Sequence, residues 1–157
     1  MNREEVMEYQ AGNMGRVFYI RLDDGEDLHA SIKEIAGKEN IRCAWFQFFG
    51  GLKSAGVVIG PKEPVMPPDP VWASLRDARE ILGTGTIFLD NEKPVIHIHA
   101  ALGHHGETVT GCVRKDSIIY LVTELIIQEI TGIDVTRPWF AEGGFNRPAF
   151  GSAMNRE

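Results

Sequence analysis

The stretch VIHIHAALGHHGETVTGCV, residues 95 to 113, predicts a β-hairpin and governs how the rest of the chain is interpreted. Residues at alternate positions of a strand point to the same face of a sheet. His97 and His99 therefore share one face, while the aliphatic residues beside them face the core. The turn over residues 103–106 folds the chain back, which brings Cys112 opposite the two histidines, within a residue or two of register.

Two imidazoles and a thiolate that converge from adjacent strands form a candidate metal site. These ligands suit Zn²⁺, and three protein ligands leave a fourth tetrahedral position open, as in catalytic zinc sites. We therefore predict that His97, His99 and Cys112 bind zinc. A plainer interpretation also fits, in which the histidines are half-exposed strand residues and Cys112 is a small buried hydrophobic residue.

Glu124 is a further candidate for the site, because it is the acidic residue of the apolar run VTELII, residues 122 to 127. A carboxylate in so apolar a run needs a partner. It could be a fourth metal ligand, an acceptor for an imidazole N–H, or a general base. His104 and His105 lie in the turn, where we expect exposed polar residues, although one of them could reach a metal at the mouth of the hairpin.

Length and composition fit one globular domain, predicted over residues 1–157. No apolar run reaches the roughly 18 residues that span a bilayer, and MNREEVMEYQ at the N-terminus does not read as a signal peptide. Two cysteines make no disulfide framework, so the expected location is the cytoplasm. The formal charge of −6 opposes direct binding to nucleic acid.

The remaining sequence alternates short strands with tight turns around one amphipathic helix. Residues 15–24 alternate as a strand does, and the apolar residues of 28–35 recur at helical spacing. Further strands are predicted over residues 41–49 and 79–90. Residues 117–130 could be helix or strand, and their many β-branched residues favour a strand. We therefore predict an α+β fold, with a mostly antiparallel sheet of about six to seven short strands and one main helix.

The C-terminal residues 131–157 form a predicted aromatic and glycine-rich extension that has no periodicity. It carries four large aromatic side chains, those of Trp139, Phe140, Phe145 and Phe150. A free tail would leave these side chains in water. We therefore expect the extension to pack on its own domain, whose core spans about 15–130, or on a neighbouring subunit.

Three ordered pieces of the sequence resemble one known family. The first piece spans residues 15–60, the second holds the H-x-H strand and its return over residues 80–113, and the third is IIYLVTELII at residues 118–127. Together they resemble the PPC domain, the "plants and prokaryotes conserved" domain. That domain follows AT-hook motifs in plant nuclear proteins and stands alone in bacteria and archaea. The resemblance covers about residues 15–130.

The resemblance implies an α+β fold assembled as a homotrimer, with zinc held at this hairpin in some prokaryotic members. The strand histidines of the family correspond to His97 and His99, and its third histidine corresponds to Cys112. This replacement is a departure, because cysteine is shorter and binds metal only when deprotonated. The DNA-binding name of many relatives comes from members with AT-hooks, which this chain lacks.

Three functions are consistent with these observations. The first is a stand-alone, trimeric, cytoplasmic PPC-domain protein that binds zinc and has a metal-binding, small-ligand-binding or hydrolytic role, with Glu124 as base or hydrogen-bond partner of a ligand. The second is a DNA-associated regulator that acts through trimerisation and partner proteins. The third is an assembly role in which the histidines bind no metal. Whether the protein is an enzyme is left open.

Overall fold

One helix and ten strands make up residues 7–151, the part of the chain that this computed structural model describes. The elements are β1 (Asn13–Asp23), α1 (Leu28–Lys38), β2 (Ala44–Pro61), β3 (Pro70–Leu75), β4 (Arg79–Asp90), β5 (Lys93–His104), β6 (Glu107–Thr131), β7 (Val135–Thr136), β8 (Trp139–Phe140), β9 (Phe145–Asn146) and β10 (Ala149–Phe150). Residues 1–6 and 152–157 lie outside the described residues. Both ends of the predicted domain fall there. So do most residues of MNREEVMEYQ, the N-terminal stretch that does not read as a signal peptide.

The strands form a mostly antiparallel sheet in which four strands pair in a closed circuit. β4 pairs with β5, β5 with β6, β6 with β2, and β2 again with β4. β1 adds to the far end of β6, and β3 adds to β2. The predicted fold class, an α+β fold with a mostly antiparallel sheet and one helix, is confirmed.

Two strands are longer than the short strands that the sequence predicts. β2 has 18 residues and β6 has 25, so the predicted strands around Cys112 and over 117–130 are one continuous strand. The register between β2 and β6 shifts at several points. Such irregularities bend a strand without ending its pairing. β6 can therefore pair with β5 at its beginning and with β1 at its end.

Helix α1 covers one side of this circuit. Its N-terminus is capped by Asp27, whose carboxylate accepts a hydrogen bond of 2.8 Å from the backbone N–H of Ala30. Its buried residues, Leu28, Ile32 and Ala36, recur at helical spacing and belong to the same core as the inward side chains of the strands. Among the described residues, no helix is long and apolar enough to cross a membrane.

Glycines in β4 allow the strands of the circuit to pack closely around large aromatic side chains. Gly83 and Gly85 lie against the buried rings of Phe48 and Phe46. A Cβ on Gly85 would come within 2.3 Å of the Phe46 ring and within 2.2 Å of the carbonyl oxygen of His97. The backbone of the histidine strand is thus held directly against the core.

The described part of the C-terminal extension returns to the edge of the sheet. β7 pairs with β4 and with β10, while β8 and β9 form a separate small hairpin. Val135 is buried in a small cluster with Cys43 and Phe88. The extension therefore packs on its own domain, as the sequence predicts, although Trp139 remains 60% exposed and Phe150 37% exposed.

Candidate metal centre

The register of the β5–β6 hairpin brings the three predicted metal ligands together. His99 pairs directly with Cys112, and His97 lies on the same face of β5. Residues that oppose each other across an antiparallel ladder have side chains in contact range. The Nε2 atoms of His97 and His99 are 3.1 Å apart. One ligand atom from each of the three side chains lies within 4.8 Å of the others.

This geometry fits a tetrahedral ion with small adjustments. Zinc bonds of about 2.1 Å to nitrogen place two ligand nitrogens about 3.4 Å apart, close to the 3.1 Å between the two Nε2 atoms. A nitrogen and a sulfur on the same ion are about 3.6 Å apart, which lies within the 4.8 Å that encloses the three ligand atoms. Two imidazoles with one thiolate form a set that a borderline ion such as zinc prefers.

Burial controls the protonation of these ligands. Burial, with a smaller contribution from the nearby Arg137 guanidinium, lowers the pKa of His97 from 6.5 to about 4. The imidazole is therefore neutral near pH 7, which is the form that binds a metal. Burial raises the pKa of the Cys112 thiol, an effect that Arg114 partly opposes. Metal binding at Cys112 therefore requires release of a proton.

Arg137, from the C-terminal extension, is a site residue that the sequence analysis missed. Its side chain is only 6% exposed, and it donates a hydrogen bond of 2.9 Å to the Thr86 hydroxyl. A terminal guanidinium nitrogen lies 3.5 Å from Nδ1 of His97, and the buried Nε has no hydrogen-bond partner within the described chain. The only signal in the sequence is an Arg-Pro pair beside aromatic residues, which does not indicate contact with the hairpin.

Arg137 also affects how a metal would be bound. A neutral imidazole that binds a metal through Nε2 carries its proton on Nδ1. Nδ1 of His97 would then face a second donor, the guanidinium of Arg137. The guanidinium would have to turn away, toward Thr86 or toward an anion. A permanent cation beside the ligands also repels a metal ion and attracts negative charge.

Glu124 lies apart from the three ligands. On β6 it is paired with Phe49 of β2, whereas Cys112 is paired with Val58 near the other end of β2. Its carboxylate accepts a hydrogen bond from the Tyr19 hydroxyl. The structure therefore supplies the partner that the sequence analysis required, but this partner comes from β1 and not from the metal ligands. A catalytic role of Glu124 stays a prediction.

The remaining histidines and cysteine of interest are held elsewhere. Nδ1 of His104 donates to the Ala78 carbonyl oxygen at 2.8 Å, and its Nε2 is 3.7 Å from a carboxylate oxygen of Asp77. His105 is exposed in the turn, where its φ is 47°. Cys43 is buried and donates from its thiol to the Val135 carbonyl oxygen at 3.5 Å. Neither turn histidine belongs to the three-ligand group found among the described residues.

Two cavities open beside the candidate ligands. The larger one, called the aromatic cavity here, has a volume of about 640 Å³ and includes Trp72, His99, Cys112, Arg114, Trp139 and Phe145 in its lining. The smaller one, of about 330 Å³, includes Trp45, Thr86, His97, His99 and Arg137. His99 lines both cavities, so a ligand in either one would lie beside the candidate metal ligands.

A strand-rich α+β domain with metal-type ligands on one hairpin is the class that this fold and site define. The chain belongs to the Plants and Prokaryotes Conserved (PCC) domain family, whose sequence profile matches residues 9–131. This is the PPC domain of the sequence analysis, so the family resemblance is confirmed. No protein with a curated description matches the chain.

Several solved structures are similar to this one. A metal-containing protein from Archaeoglobus fulgidus is 26% identical, with a TM-score of 0.78 over 90% of this chain and 98% of that one. A plant- and prokaryote-conserved (PPC) protein from Pyrococcus horikoshii is 23% identical, with a TM-score of 0.77 over 93% and 100%. A candidate DNA-binding protein from Bacteroides thetaiotaomicron is 16% identical, with a TM-score of 0.74 over 88% and 97%.

Proposed function

We propose that this protein is a metal-binding PPC-domain protein that holds a zinc ion through His97, His99 and Cys112. The convergence of their ligand atoms within 4.8 Å carries the proposal. The similarity to a metal-containing archaeal protein at 26% identity supports it. The proposal places the protein in the cytoplasm, where reducing conditions keep Cys112 available as a thiolate ligand.

The arrangement favours ligand binding at the metal over hydrolysis. A zinc ion with three protein ligands has a fourth position for a small ligand or for an acidified water. Hydrolysis would also need a general base within hydrogen-bond reach of that water. Glu124, the predicted base, bonds instead to Tyr19. Binding of a small ligand at the metal is therefore the function we favour, and hydrolysis with Glu124 as the general base is the alternative.

The direct test is the metal content of purified, untagged protein by elemental mass spectrometry. We expect about one zinc per chain in the wild type and loss of zinc in Cys112→Ser. Cys43→Ser is the matched control, because Cys43 is also buried but its thiol bonds to Val135. A wild-type protein that retains no metal after zinc is supplied and excess zinc is removed would rule out the site.

We also propose that the protein forms a homotrimer through the outer face of the sheet. Four exposed apolar side chains lie on β1, β2 and β4, those of Val17, Tyr19, Phe49 and Leu82, and they are between 43% and 66% exposed. Phe49 and Leu82 are direct neighbours across the β2–β4 ladder. Apolar side chains clustered on a sheet face are typical of an interaction surface.

Native mass spectrometry tests the assembly. We expect a trimer for the wild type and a smaller species for Leu82→Glu, because the new charge would be buried in the interface. Val65→Glu is the matched control, since Val65 is also exposed but lies outside this face, in the segment between β2 and β3. A wild-type protein that is monomeric at micromolar concentration would contradict the proposal.

A DNA-associated role is the second candidate, and the candidate DNA-binding relative from Bacteroides favours it. The charges of this chain do not. The net charge is −6, and several arginines are paired with carboxylates, such as Arg16 with Glu129 at 2.7 Å and Arg42 with Glu92 at 2.6 Å. We expect no mobility shift of duplex DNA at micromolar protein and physiological salt. A shift that weakens with added salt would favour this second candidate.

A further inference from the structure

The two cavities beside the candidate ligands are positively charged, although the chain as a whole is acidic. Arg114 lines the aromatic cavity and Arg137 lines the smaller cavity. The ammonium group of Lys115 lies 5.5 Å from the ring centre of Trp72, which is part of the aromatic wall. Neither set of lining side chains contains an aspartate or a glutamate among the described residues.

These two arginines differ from most other arginines within residues 7–151. Arg16, Arg42 and Arg79 each lie within 2.7 Å of a carboxylate oxygen. Within residues 7–151, neither Arg114 nor Arg137 forms an ion pair with a carboxylate. Arginine stays protonated in proteins, and a buried cation without a partner is costly. This cost falls on Arg137, which is buried, and favours an anion beside it. Arg114 is exposed, so its guanidinium is available to pair with an anion that enters the aromatic cavity.

The aromatic cavity has the size and the walls of a site for a small organic molecule. Its volume of about 640 Å³ falls within the usual range for such sites. Trp72 and Trp139 are 52% and 60% exposed, and both line the cavity. Indole rings offer flat apolar surfaces on which another planar group can stack. Phe145 adds a third aromatic side chain to the wall.

We propose that the aromatic cavity binds a small organic acid with a planar apolar body. The carboxylate of the acid pairs with Arg114, and its apolar body rests against Trp72 and Trp139. The inference goes beyond the proposed metal site, because the arginine and the aromatic walls are present without a metal. Because His99 and Cys112 also line the aromatic cavity, a bound acid would lie beside two of the candidate metal ligands.

The test compares two probes of the same shape. 2-Naphthoate carries a carboxylate, and 2-naphthamide is its neutral counterpart. Each is titrated by isothermal calorimetry into metal-free protein and into zinc-supplied protein. We expect saturable binding of about one naphthoate per chain in both preparations, with binding of the amide about tenfold weaker because it cannot form the charged pair with arginine.

Two variants separate the contribution of the Arg114 charge from that of the aromatic side chains that line the cavity. We expect Arg114→Gln to weaken naphthoate binding about tenfold and to leave the amide unchanged. Trp139→Ala is expected to weaken both probes, because both use the apolar wall. The side chains of Arg114 and Trp139 are exposed, so both variants should keep the fold. Arg42→Gln is the matched control, since Arg42 is paired with Glu92 and does not line the cavity.

Three results would overturn the inference: no saturable binding of naphthoate in either preparation, equal affinity for acid and amide, or equal effects of Arg114→Gln and Arg42→Gln. Metal content measured on the same samples keeps the two proposals apart. Zinc retained without naphthoate binding would reject the acid site alone. Naphthoate binding by a protein that retains no zinc would support the acid site and reject the metal site.

Discussion

The β5–β6 hairpin and the C-terminal extension meet at the candidate metal centre, but the fold holds them in different ways. β5 is paired with β4 along its whole length and with β6 over its second half. The extension joins the main sheet at β7, through a single paired position between Leu89 and Thr136. The hydrogen-bonded ladder thus fixes the positions of the candidate metal ligands, whereas Arg137 is positioned beside them by a segment with little strand pairing. The ligands should be rigid and the charge next to them adjustable.

The largest effect on stability should come from a substitution that adds an atom between β4 and the β5–β6 hairpin. Gly85→Ala would place a Cβ within 2.2 Å of the His97 carbonyl oxygen and 2.3 Å of the Phe46 ring. We expect it to lower the free energy of unfolding by about 4 kcal/mol and to weaken zinc binding, because β5 must shift. Urea denaturation and metal content measure the two effects.

A glycine in α1 provides the control for that substitution. Nothing lies within 4 Å of the Cβ that Gly37→Ala would add. Because alanine favours a helix over glycine, we expect a gain of about 0.5–1 kcal/mol there. Equal urea midpoints for Gly85→Ala and the wild type would show that β4 and β5 pack more loosely than the structure indicates.

Cavity-forming substitutions compare the two regions directly. The test positions are Ile98 and Val135. Ile98 lies between His97 and His99 in the sequence and is fully buried, and Val135 in the extension is 6% exposed. We expect Ile98→Ala to cost about 3 kcal/mol and Val135→Ala about 2 kcal/mol or less. Thermal and urea unfolding measure both. A larger loss for Val135→Ala would mean that the extension contributes more to stability than its sparse pairing suggests.

The pKa of His97 predicts how the metal-free protein responds to acid. The pKa of His97 is about 4 in the folded protein, whereas its unperturbed value is 6.5. Between these pH values the unfolded chain therefore binds more protons at this histidine than the folded chain does. Stability should therefore decrease from pH 6.5 to pH 4. We expect a loss of about 2 kcal/mol, less than the full shift allows because His97 is only half-buried.

The matched variant for this pH dependence is His97→Gln, measured as urea unfolding across the same pH range. It should flatten the part of the profile that His97 causes. Any remaining slope would include His29, whose pKa is also lowered by burial. Identical profiles for wild type and variant would contradict the assignment to His97.

The smallest expected effect comes from removing the charge that the extension supplies. We expect Arg137→Met to tighten zinc binding about tenfold, because the guanidinium near His97 repels the ion. The fold should survive, since an apolar side chain replaces a buried cation whose Nε has no partner within the described residues. Competition with a chromogenic chelator measures the affinity.

Arg147 gives the control within the same extension. Its guanidinium lies 5.3 Å from the ring centre of Phe140, and its side chain is exposed. Arg147→Met should leave zinc affinity unchanged. An unchanged affinity in Arg137→Met as well would mean that the guanidinium moves away when the metal binds.

Local patterns were enough to predict the α+β class, the helix and the histidine hairpin, whereas the family was identified by the resemblance of three ordered pieces of the sequence. The reason is that strand alternation and helical spacing are properties of neighbouring residues. His97 and His99 share a face because they are two positions apart. The position of Cys112 opposite them follows from the length of the turn. The register that pairs His99 with Cys112 lies within the range that the sequence allows.

Only the tertiary structure decided the rest of the site. The closed circuit of strands, the joining of two predicted strands into β6 and the separation of Glu124 from Cys112 depend on which distant strands become neighbours. Arg137 reaches His97 from 40 positions away in the sequence, and the aromatic cavity combines Trp72 with Trp139. Such contacts follow from long-range packing of the whole chain, so no local periodicity in the sequence encodes them.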